Sequence, residues 1–335
     1  MTQLLGLVLL SFAITSVCMV PFIDFLFFLK RRFQNLNQDQ KKSETPIHDR
    51  LMKADVTTPS GGGVLIILIL IILSAGYGLL SSSFDKVSLK ILIITLTSFG
   101  LLGLIDDVKL ILTKRSGKFM GLGRKRMFTI QLLLSFAIAA MLFFLAGLNN
   151  IYISGLGNFV INGWYIPLAA FIILSFANAY NISDGLDGLS AGLLLICLFA
   201  FLALASQSLD LTLASFIGIW IGALFSFLYF NIWPARIFLG DAGSFAFGAT
   251  LAVVGLLTGK IVALAIIGGM FVIIVSSSLF QILSKKIVGK KILPVAPIHF
   301  YFRYLGWEEP KIVVRFWLAQ GLFSIFGLWI ALLSR

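Results

Sequence analysis

The stretch IPLAAFIILSFANAYNISDGLDGLSAGLLLICLFAFLALA, residues 166–205, places a short polar turn between two long apolar runs. The apolar runs near 166–180 and 189–205 approach the length that a helix needs to cross about 30 Å of hydrocarbon. The segment 178–188, where the first run gives way to the second, includes two aspartates, two asparagines and two glycines. This pattern predicts two consecutive membrane helices joined by a polar turn at the membrane surface.

The same alternation of apolar runs and short polar segments extends over the whole chain of 335 residues, of which 59% are hydrophobic and only 12% are charged. This composition is typical of an integral membrane protein. We find no internal repeat and no separate soluble domain, so we predict one all-α polytopic domain, 1–335, with about ten spans. They lie near 4–29, 64–80, 89–105, 128–147, 166–180, 189–205, 211–230, 244–258, 260–283 and 317–334.

The basic residues are distributed unequally between the two sides that these spans define. All but four of the 26 Lys and Arg fall in the loops that start near 30, 106, 181, 231 and 284. The positive-inside rule places these loops in the cytoplasm and both termini outside. Nucleic-acid binding has no support, because the aromatic residues lie in spans rather than among the basic runs.

The acidic residues are few, and five of them fall at the cytoplasmic ends of predicted spans. Carboxylates at one membrane face, together with an amide-rich turn and nearby Lys and Arg, suit a divalent cation and a phosphorylated substrate. We therefore predict an active site on the cytoplasmic face. The five acids are Asp106, Asp107, Asp184, Asp187 and Asp241.

Each acidic segment also has a purely structural interpretation. Asp106 and Asp107 can end a helix and pair with Lys109, and Asp184 can cap the start of the next helix. Ser244 can cap a helix that follows Asp241. A proton-coupled transporter is a further alternative, since transporters keep ionisable groups at membrane depth.

Five motifs, in order along the chain, resemble the bacterial phospho-N-acetylmuramoyl-pentapeptide transferase family, within the polyprenyl-phosphate N-acetylhexosamine-1-phosphate transferase superfamily. The resemblance runs nearly end to end, and the order of the motifs makes it specific. The motifs are TTPSGGG (57–63), GLIDDVKL (103–110), NAYNISDGLDGLSAG (178–192), PARIFLGDAGS (234–244) and APIHFYFRYLGWEEPKIVVRFW (296–317).

The resemblance implies an enzyme of the bacterial inner membrane. Such an enzyme moves a phospho-sugar from a UDP-linked muramoyl peptide to a polyprenyl phosphate, with Mg²⁺ as cofactor, and releases UMP. Its partners are these two substrates and membrane lipid, and the resemblance also suggests a homodimer. A sister transferase that uses a UDP-sugar without a peptide, such as UDP-N-acetylglucosamine, is the alternative within the superfamily.

The resemblance also assigns roles to individual residues. Asp241, with Asn181, would hold the metal, and Asp106 or Asp107 would deprotonate or position the lipid phosphate. The remaining expected contacts are with the UDP-sugar: Asp184, Asp187 and the backbone of Ile182 near the nucleoside, Phe238 stacked on uracil, Asn231, Gly240, Ser244 and Gln281 lining the same pocket, and Lys125 at the pyrophosphate.

One motif departs from the family pattern, because the family has three consecutive histidines where this chain has His299, Phe300 and Tyr301. Arg303 follows closely, and arginine can grip a phosphate with two parallel hydrogen bonds. We therefore predict that Arg303 and the catalytic His299 together supply the positive charge that the family takes from its histidines. An Arg303 that only faces lipid headgroups is the alternative.

Overall fold

The computed structural model describes residues 2–34, 58–81, 84–113, 122–153 and 156–333, so Thr57 of the first motif lies outside the described residues. The described chain is almost entirely helical. Its elements are α1 (Thr2–Gln34), α2 (Gly62–Leu80), α3 (Lys86–Thr113), α4 (Arg124–Phe144), β1 (Asn150–Ile153), β2 (Gly157–Val160), a 3₁₀ turn (Asn162–Trp164), α5 (Tyr165–Ser183), α6 (Leu189–Gln207), α7 (Leu211–Asn231), α8 (Gly240–Leu257), α9 (Ile261–Ile267), α10 (Gly269–Ile287), α11 (Ile298–Tyr304) and α12 (Glu309–Leu333).

Ten helices of the described chain are long and apolar enough to cross a membrane, which confirms the predicted ten spans. Only α9 and α11 among the twelve are shorter, with seven residues each. The structure therefore describes a multi-pass membrane protein. The cytoplasmic placement of its loops stays a prediction from the charge distribution.

The centre of the bundle is formed by α7 and α8, in which 89% and 83% of the apolar stretch is buried. Helix α7 packs on α1, α6 and α2, while α8 packs on α3, α5 and α2. The rings of Trp220 and Phe247 meet edge to face with centroids 5.4 Å apart, and fill the space between these two helices. The outer helices instead expose large apolar side chains such as Leu9, Ile72 and Phe171, as expected of surfaces that face lipid.

Glycines bring three helices into backbone contact at one end of the bundle. A Cβ atom added to Gly63 of α2 would overlap the backbone of Gly243 in α8. A Cβ atom added to Gly103 of α3 would overlap the carbonyl group of Asp241. Small residues allow this close approach, and close packing is a main source of helix association in membranes. The glycines thus fix the ends of α2 and α3 against the first turn of α8.

The connection between α4 and α5 contains an antiparallel hairpin, in which Asn150 pairs with Val160 and Ile153 pairs with Gly157. The glycines and asparagines of residues 148–165 predict a turn or small hairpin here. The structure confirms this prediction.

The predicted ninth span, 260–283, is not one continuous helix. It breaks at Gly268, between α9 and α10, and the second helix continues to Ile287. The fully buried Gln320 of α12 bridges the break, because its amide accepts a hydrogen bond from the Met270 N–H (3.3 Å) and donates one to the Ile267 carbonyl. Backbone groups released inside a membrane need such partners. The hydropathy pattern did not show the break because both halves are apolar.

Gly103→Ala tests the close packing of α3 on α8. We expect the added methyl group to force the two backbones apart and to lower the stability by about 1–3 kcal/mol, as overpacking does elsewhere. Thermal melting of the detergent-solubilised protein measures this loss. The control is Gly76→Ala in α2, because a Cβ atom at Gly76 has no neighbour within 4 Å. Equal melting temperatures for the two variants would contradict the packing argument.

Candidate active site

The carboxylate of Asp107 caps the start of α8 from a different helix. The Asp241 N–H donates to its Oδ1 (3.2 Å) and the Ala242 N–H donates to its Oδ2 (3.1 Å). The first backbone N–H groups of a helix have no partner within the helix and carry partial positive charge. Asp107 therefore joins α3 to the start of α8 at the place where the two helices touch. Because α3 continues to Thr113, Asp106 and Asp107 do not end their helix, and that interpretation is wrong.

Asp241 lies in the first turn of α8, beside the end of α5. The side-chain amide of Asn181 donates to Asp241 Oδ1 (2.9 Å) and to Ser244 Oγ (2.8 Å). The structure thus brings together three residues that the sequence predicts to share a site. Ser244 does not cap the helix, because α8 begins four residues earlier at Gly240.

Asp106, the neighbour of Asp107, faces the start of α4. Its Oδ1 accepts a hydrogen bond from the Leu122 N–H (2.8 Å), and its carboxyl group also interacts with that of Asp241. The basic residues Arg124, Lys125 and Arg126 begin one residue after Leu122, beyond Gly123, and are exposed. The start of α4 therefore brings exposed positive charge to the aspartate cluster.

The turn between α5 and α6 carries Asp184, which lies at the end of α5 rather than at the start of the next helix. Helix α6 begins only at Leu189 and is preceded by Gly188, so the N-cap interpretation of Asp184 is wrong. Its Oδ1 accepts a hydrogen bond from the Ser190 hydroxyl (2.5 Å). Burial raises the pKa of Asp184 to about 6; the Ser190 hydroxyl opposes this rise, and the carboxylates of Asp241 and Asp187 add to it.

Asp187 and Asn231 are buried and bind the backbone around this turn. Asp187 Oδ2 accepts a hydrogen bond from the Ala235 N–H (2.8 Å). The Asn231 side chain accepts one from the Gly188 N–H (3.1 Å) and donates one to the Ile237 carbonyl (2.8 Å). These contacts hold the turn against the segment that leads into α8, whereas direct contact of these two side chains with a substrate stays a prediction.

The segment before α8 pairs with the first motif of the sequence. The Phe238 carbonyl accepts hydrogen bonds from the Gly61 and Gly62 N–H groups (3.1 and 2.9 Å), and the Phe238 N–H donates to the Pro59 carbonyl (2.9 Å). Gly240 follows with a φ of +83°, a region that favours glycine. A Cβ atom there would lie 2.9 Å from Ser60 Oγ and 3.0 Å from Asp107 Oδ2.

The side chains of Phe238 and Ile182 are both half-buried, one on each of the two segments that meet at the site. Gln281 instead binds the loop after α10, since its side chain accepts from the Ile292 and Leu293 N–H groups (both 3.0 Å) and donates to the Leu293 carbonyl (2.7 Å). Its predicted place beside Asn231 and Ser244 stays untested.

His299 and Arg303 lie on the short helix α11. The His299 ring is fully buried beside Phe300, and a Cβ atom at Gly185 would lie 2.9 Å from its Nε2, so it packs on the 184–188 turn. Arg303 forms an ion pair with Glu309 (Nη1–Oε2, 3.0 Å). No local pattern predicts this pair, because Glu309 stands beside Pro310 as an ordinary first residue of a helix. A phosphate contact of Arg303 stays a prediction.

Comparisons of the sequence with known proteins identify the class to which the chain belongs. Residues 89–259 match the family model described as glycosyl transferase family 4. This stretch includes the aspartates of α3 and α8 and the turn between α5 and α6. The chain is thus a polytopic membrane transferase of this class.

Curated relatives narrow the class further. The chain is 34% identical to a phospho-N-acetylmuramoyl-pentapeptide-transferase of Halalkalibacterium halodurans, over 98% of this chain and 97% of the relative. It is 33% identical to one from Bacillus subtilis (82% and 83% covered) and 35% identical to one from Pelagibacter ubique (92% and 87% covered). The chain belongs to the phospho-N-acetylmuramoyl-pentapeptide-transferase family.

Gly240→Ala tests the geometry around Asp107. We expect the new methyl group to push against Ser60 and Asp107, displace the carboxylate and reduce transferase activity by about 10- to 100-fold, since small misplacements at a catalytic centre have effects of this size. Formation of lipid-linked product measures the activity. The control is Gly289→Ala, which carries a similar positive φ of +73° but whose Cβ atom would meet nothing within 4 Å. An equal reduction in both variants would assign the effect to backbone strain alone.

Proposed function

We propose that the chain transfers phospho-N-acetylmuramoyl-pentapeptide from its UDP derivative to undecaprenyl phosphate. A phosphate oxygen of the lipid attacks the phosphorus that carries the sugar, and the bond from this phosphorus to the bridging oxygen of the diphosphate breaks. UMP leaves with that oxygen, and the lipid carries the new diphosphate. The observation that supports this function most directly is the convergence of Asp241, Asn181 and Asp107 at the adjoining ends of membrane-spanning helices.

The charges of the cluster suit a reaction between two phosphate groups only if cations neutralise them. Asp106, Asp107 and Asp184 each interact electrostatically with Asp241. Carboxylates that lie close enough to interact repel one another, and they also repel phosphate. Phosphoryl transfer depends mainly on positioning and on neutralising negative charge. A bound divalent cation and basic side chains would meet both needs.

The donor atoms of the cluster fit Mg²⁺. Mg²⁺ prefers hard oxygen ligands and usually takes only one or two carboxylates, with water and substrate phosphates completing its shell. Within the described residues no group of three His, Cys, Asp or Glu side chains is placed to hold a metal ion, so side chains of these types alone would not complete the shell of the ion. Asp241 would hold the ion, joined by Asn181 after a half-turn of its amide exchanges nitrogen for oxygen. The ion would supply charge neutralisation at the diphosphate.

The lipid phosphate would meet the side of the cluster that Asp106 and the start of α4 form. The exposed Arg124, Lys125 and Arg126 offer positive charge there, next to the Leu122 N–H that binds Asp106. Such charge attracts a phosphate at the level of the lipid headgroups. Asp106 would then orient the attacking oxygen or accept its proton.

The nucleoside would meet the opposite side, where the 184–188 turn and the Phe238 segment are joined by Asp187 and Asn231. The half-buried ring of Phe238 would stack on uracil, and the rigid backbone around it would limit water access. This site would lie on the cytoplasmic side of the bacterial inner membrane, where a soluble nucleotide and a membrane lipid can both reach it. The homodimer that the resemblance implies stays a prediction.

Asp241→Asn tests the metal assignment. The substitution removes one charge with little change of shape, so we expect kcat to fall about 100-fold or more, the size found when one electrostatic stabiliser is removed from a catalytic site. The activity is measured as lipid-linked product at increasing Mg²⁺ concentrations. Asp24→Asn, which removes an exposed carboxylate of α1, is the control. Near-native activity of Asp241→Asn at low Mg²⁺ would contradict the assignment.

Phe238→Ala tests the nucleoside side. Stacking of a base on an aromatic ring contributes about 1–3 kcal/mol, so we expect KM for the UDP-sugar to rise about 5- to 100-fold while KM for the polyprenyl phosphate stays near its original value. Tyr229→Ala, at an exposed aromatic residue near the end of α7, is the control. Equal losses for both substrates would indicate a collapsed loop. A panel of UDP-sugars in the same assay separates the muramoyl-pentapeptide substrate from the peptide-free sugars of the sister transferases.

A further inference from the structure

The carboxylate of Glu309, the first residue of α12, is buried and makes two directed contacts. Its Oε1 accepts a hydrogen bond from the Asp187 N–H (2.8 Å), and its Oε2 lies 3.0 Å from Arg303 Nη1. The side chains of Glu309 and Arg303 are 8% and 22% exposed. One carboxylate thus binds the 184–188 turn with one oxygen and helix α11 with the other.

The 184–188 turn is also hydrogen-bonded to the segment that carries Phe238. The Asp187 backbone N–H donates to Glu309, and the Asp187 carboxylate accepts a hydrogen bond from the Ala235 N–H (2.8 Å). Asn231 adds a second link, from the Gly188 N–H to the Ile237 carbonyl. A continuous set of hydrogen bonds therefore runs from α11 and α12 to the residues just before Phe238.

Helix α11 also rests on the same turn through its side chains. A Cβ atom at Gly185 would lie 2.9 Å from His299 Nε2 and 3.0 Å from the Phe300 ring. The ion pair of Arg303 with Glu309 holds the end of α11 while His299 and Phe300 hold its start. Buried charge-assisted hydrogen bonds are strong and directional, so this arrangement restricts how α11 and the turn can move.

We propose that Glu309 is a positioning residue for the nucleotide side of the transferase site, where it fixes the 184–188 turn and, through Asp187, the segment that carries Phe238. The proposal rests on the proposed function. Glu309 itself need not touch a substrate. The proposal predicts that loss of this carboxylate weakens binding of the UDP-sugar more than binding of the lipid phosphate, because α3 and α4 form the lipid side of the site.

A simpler role must be separated from this one. A carboxylate in the first turn of α12 also stabilises that helix by interacting with its free N–H groups. The neighbouring Glu308 has the same charge at the same helix end, but it is exposed. Glu308→Gln and Glu308→Ala therefore remove the general helix-end effect and leave the network intact, and they serve as matched controls.

The experiment compares Glu309→Gln, Glu309→Ala and the two Glu308 controls in the purified full-length protein, with separate KM values for UDP-N-acetylmuramoyl-pentapeptide and undecaprenyl phosphate. We expect Glu309→Ala to raise KM for the nucleotide about 10-fold or more and to change KM for the lipid by less than about twofold. Glu309→Gln keeps an acceptor for the Asp187 N–H but loses the ion pair, so its effect should be smaller. The Glu308 variants should match the unmodified protein.

If Glu309→Ala does not fold, Arg303→Gln provides the test instead, because it breaks the same ion pair. The two residues act through one ion pair. We therefore expect the double variant Arg303→Gln/Glu309→Gln to have a KM for the nucleotide no higher than that of whichever single variant is more impaired. A uniform fall in the active fraction with both KM values unchanged, or unchanged kinetics in Glu309→Ala, would overturn the positioning role. Lack of lipid-linked product from the unmodified protein would instead reject the proposed function, and UMP binding by the variants would then still test the network.

Discussion

The contact between Asp107 and the first turn of α8 depends on three backbones that approach more closely than any side chain would allow. Gly63 meets Gly243, and Gly103 meets the carbonyl of Asp241, so the end of α3 lies directly against the start of α8. The Asp107 carboxylate then accepts hydrogen bonds from two N–H groups that the helix itself cannot satisfy. With this turn fixed, Asp241 faces Asn181 rather than lipid.

Two kinds of polar residue surround the site and differ in burial, although the half-buried Asp106 also accepts a hydrogen bond from a backbone N–H, that of Leu122. Asp106, Asp184, Asp241 and Asn181 are half-buried, and the three acids among them interact electrostatically, as suits groups that await a cation or substrate. Asp187, Asn231 and Glu309 are buried and are bound to backbone N–H groups. The second kind holds the 184–188 turn and the segment before α8, which lie beside the first kind. Such a rigid surrounding is what electrostatic catalysis requires, because groups that are already oriented need no reorganisation during the reaction.

The membrane makes this division necessary. A nucleotide arrives from water and a polyprenyl phosphate arrives from the bilayer, so the site must lie at helix ends, where polar backbone and charged side chains are tolerated. The same constraint governs the break between α9 and α10, where Gln320 satisfies the backbone groups that the interrupted helix releases. In both places a side chain from a distant helix supplies the partner that water would supply in a soluble protein.

The sequence by itself determined the ten spans, the hairpin after α4, the family and the identities of the acids at the helix ends. Each of these depends on local patterns, namely the length of an apolar run, the turn residues between runs and the residues of a motif. Only the tertiary structure decided that Asp107 caps α8, that Asp187 and Asn231 bind backbone, that Arg303 pairs with Glu309 and that the ninth span breaks at Gly268. These outcomes depend on which groups from distant helices meet. That depends in turn on the close approach that the glycines permit, which no local pattern of hydrophobicity or charge encodes.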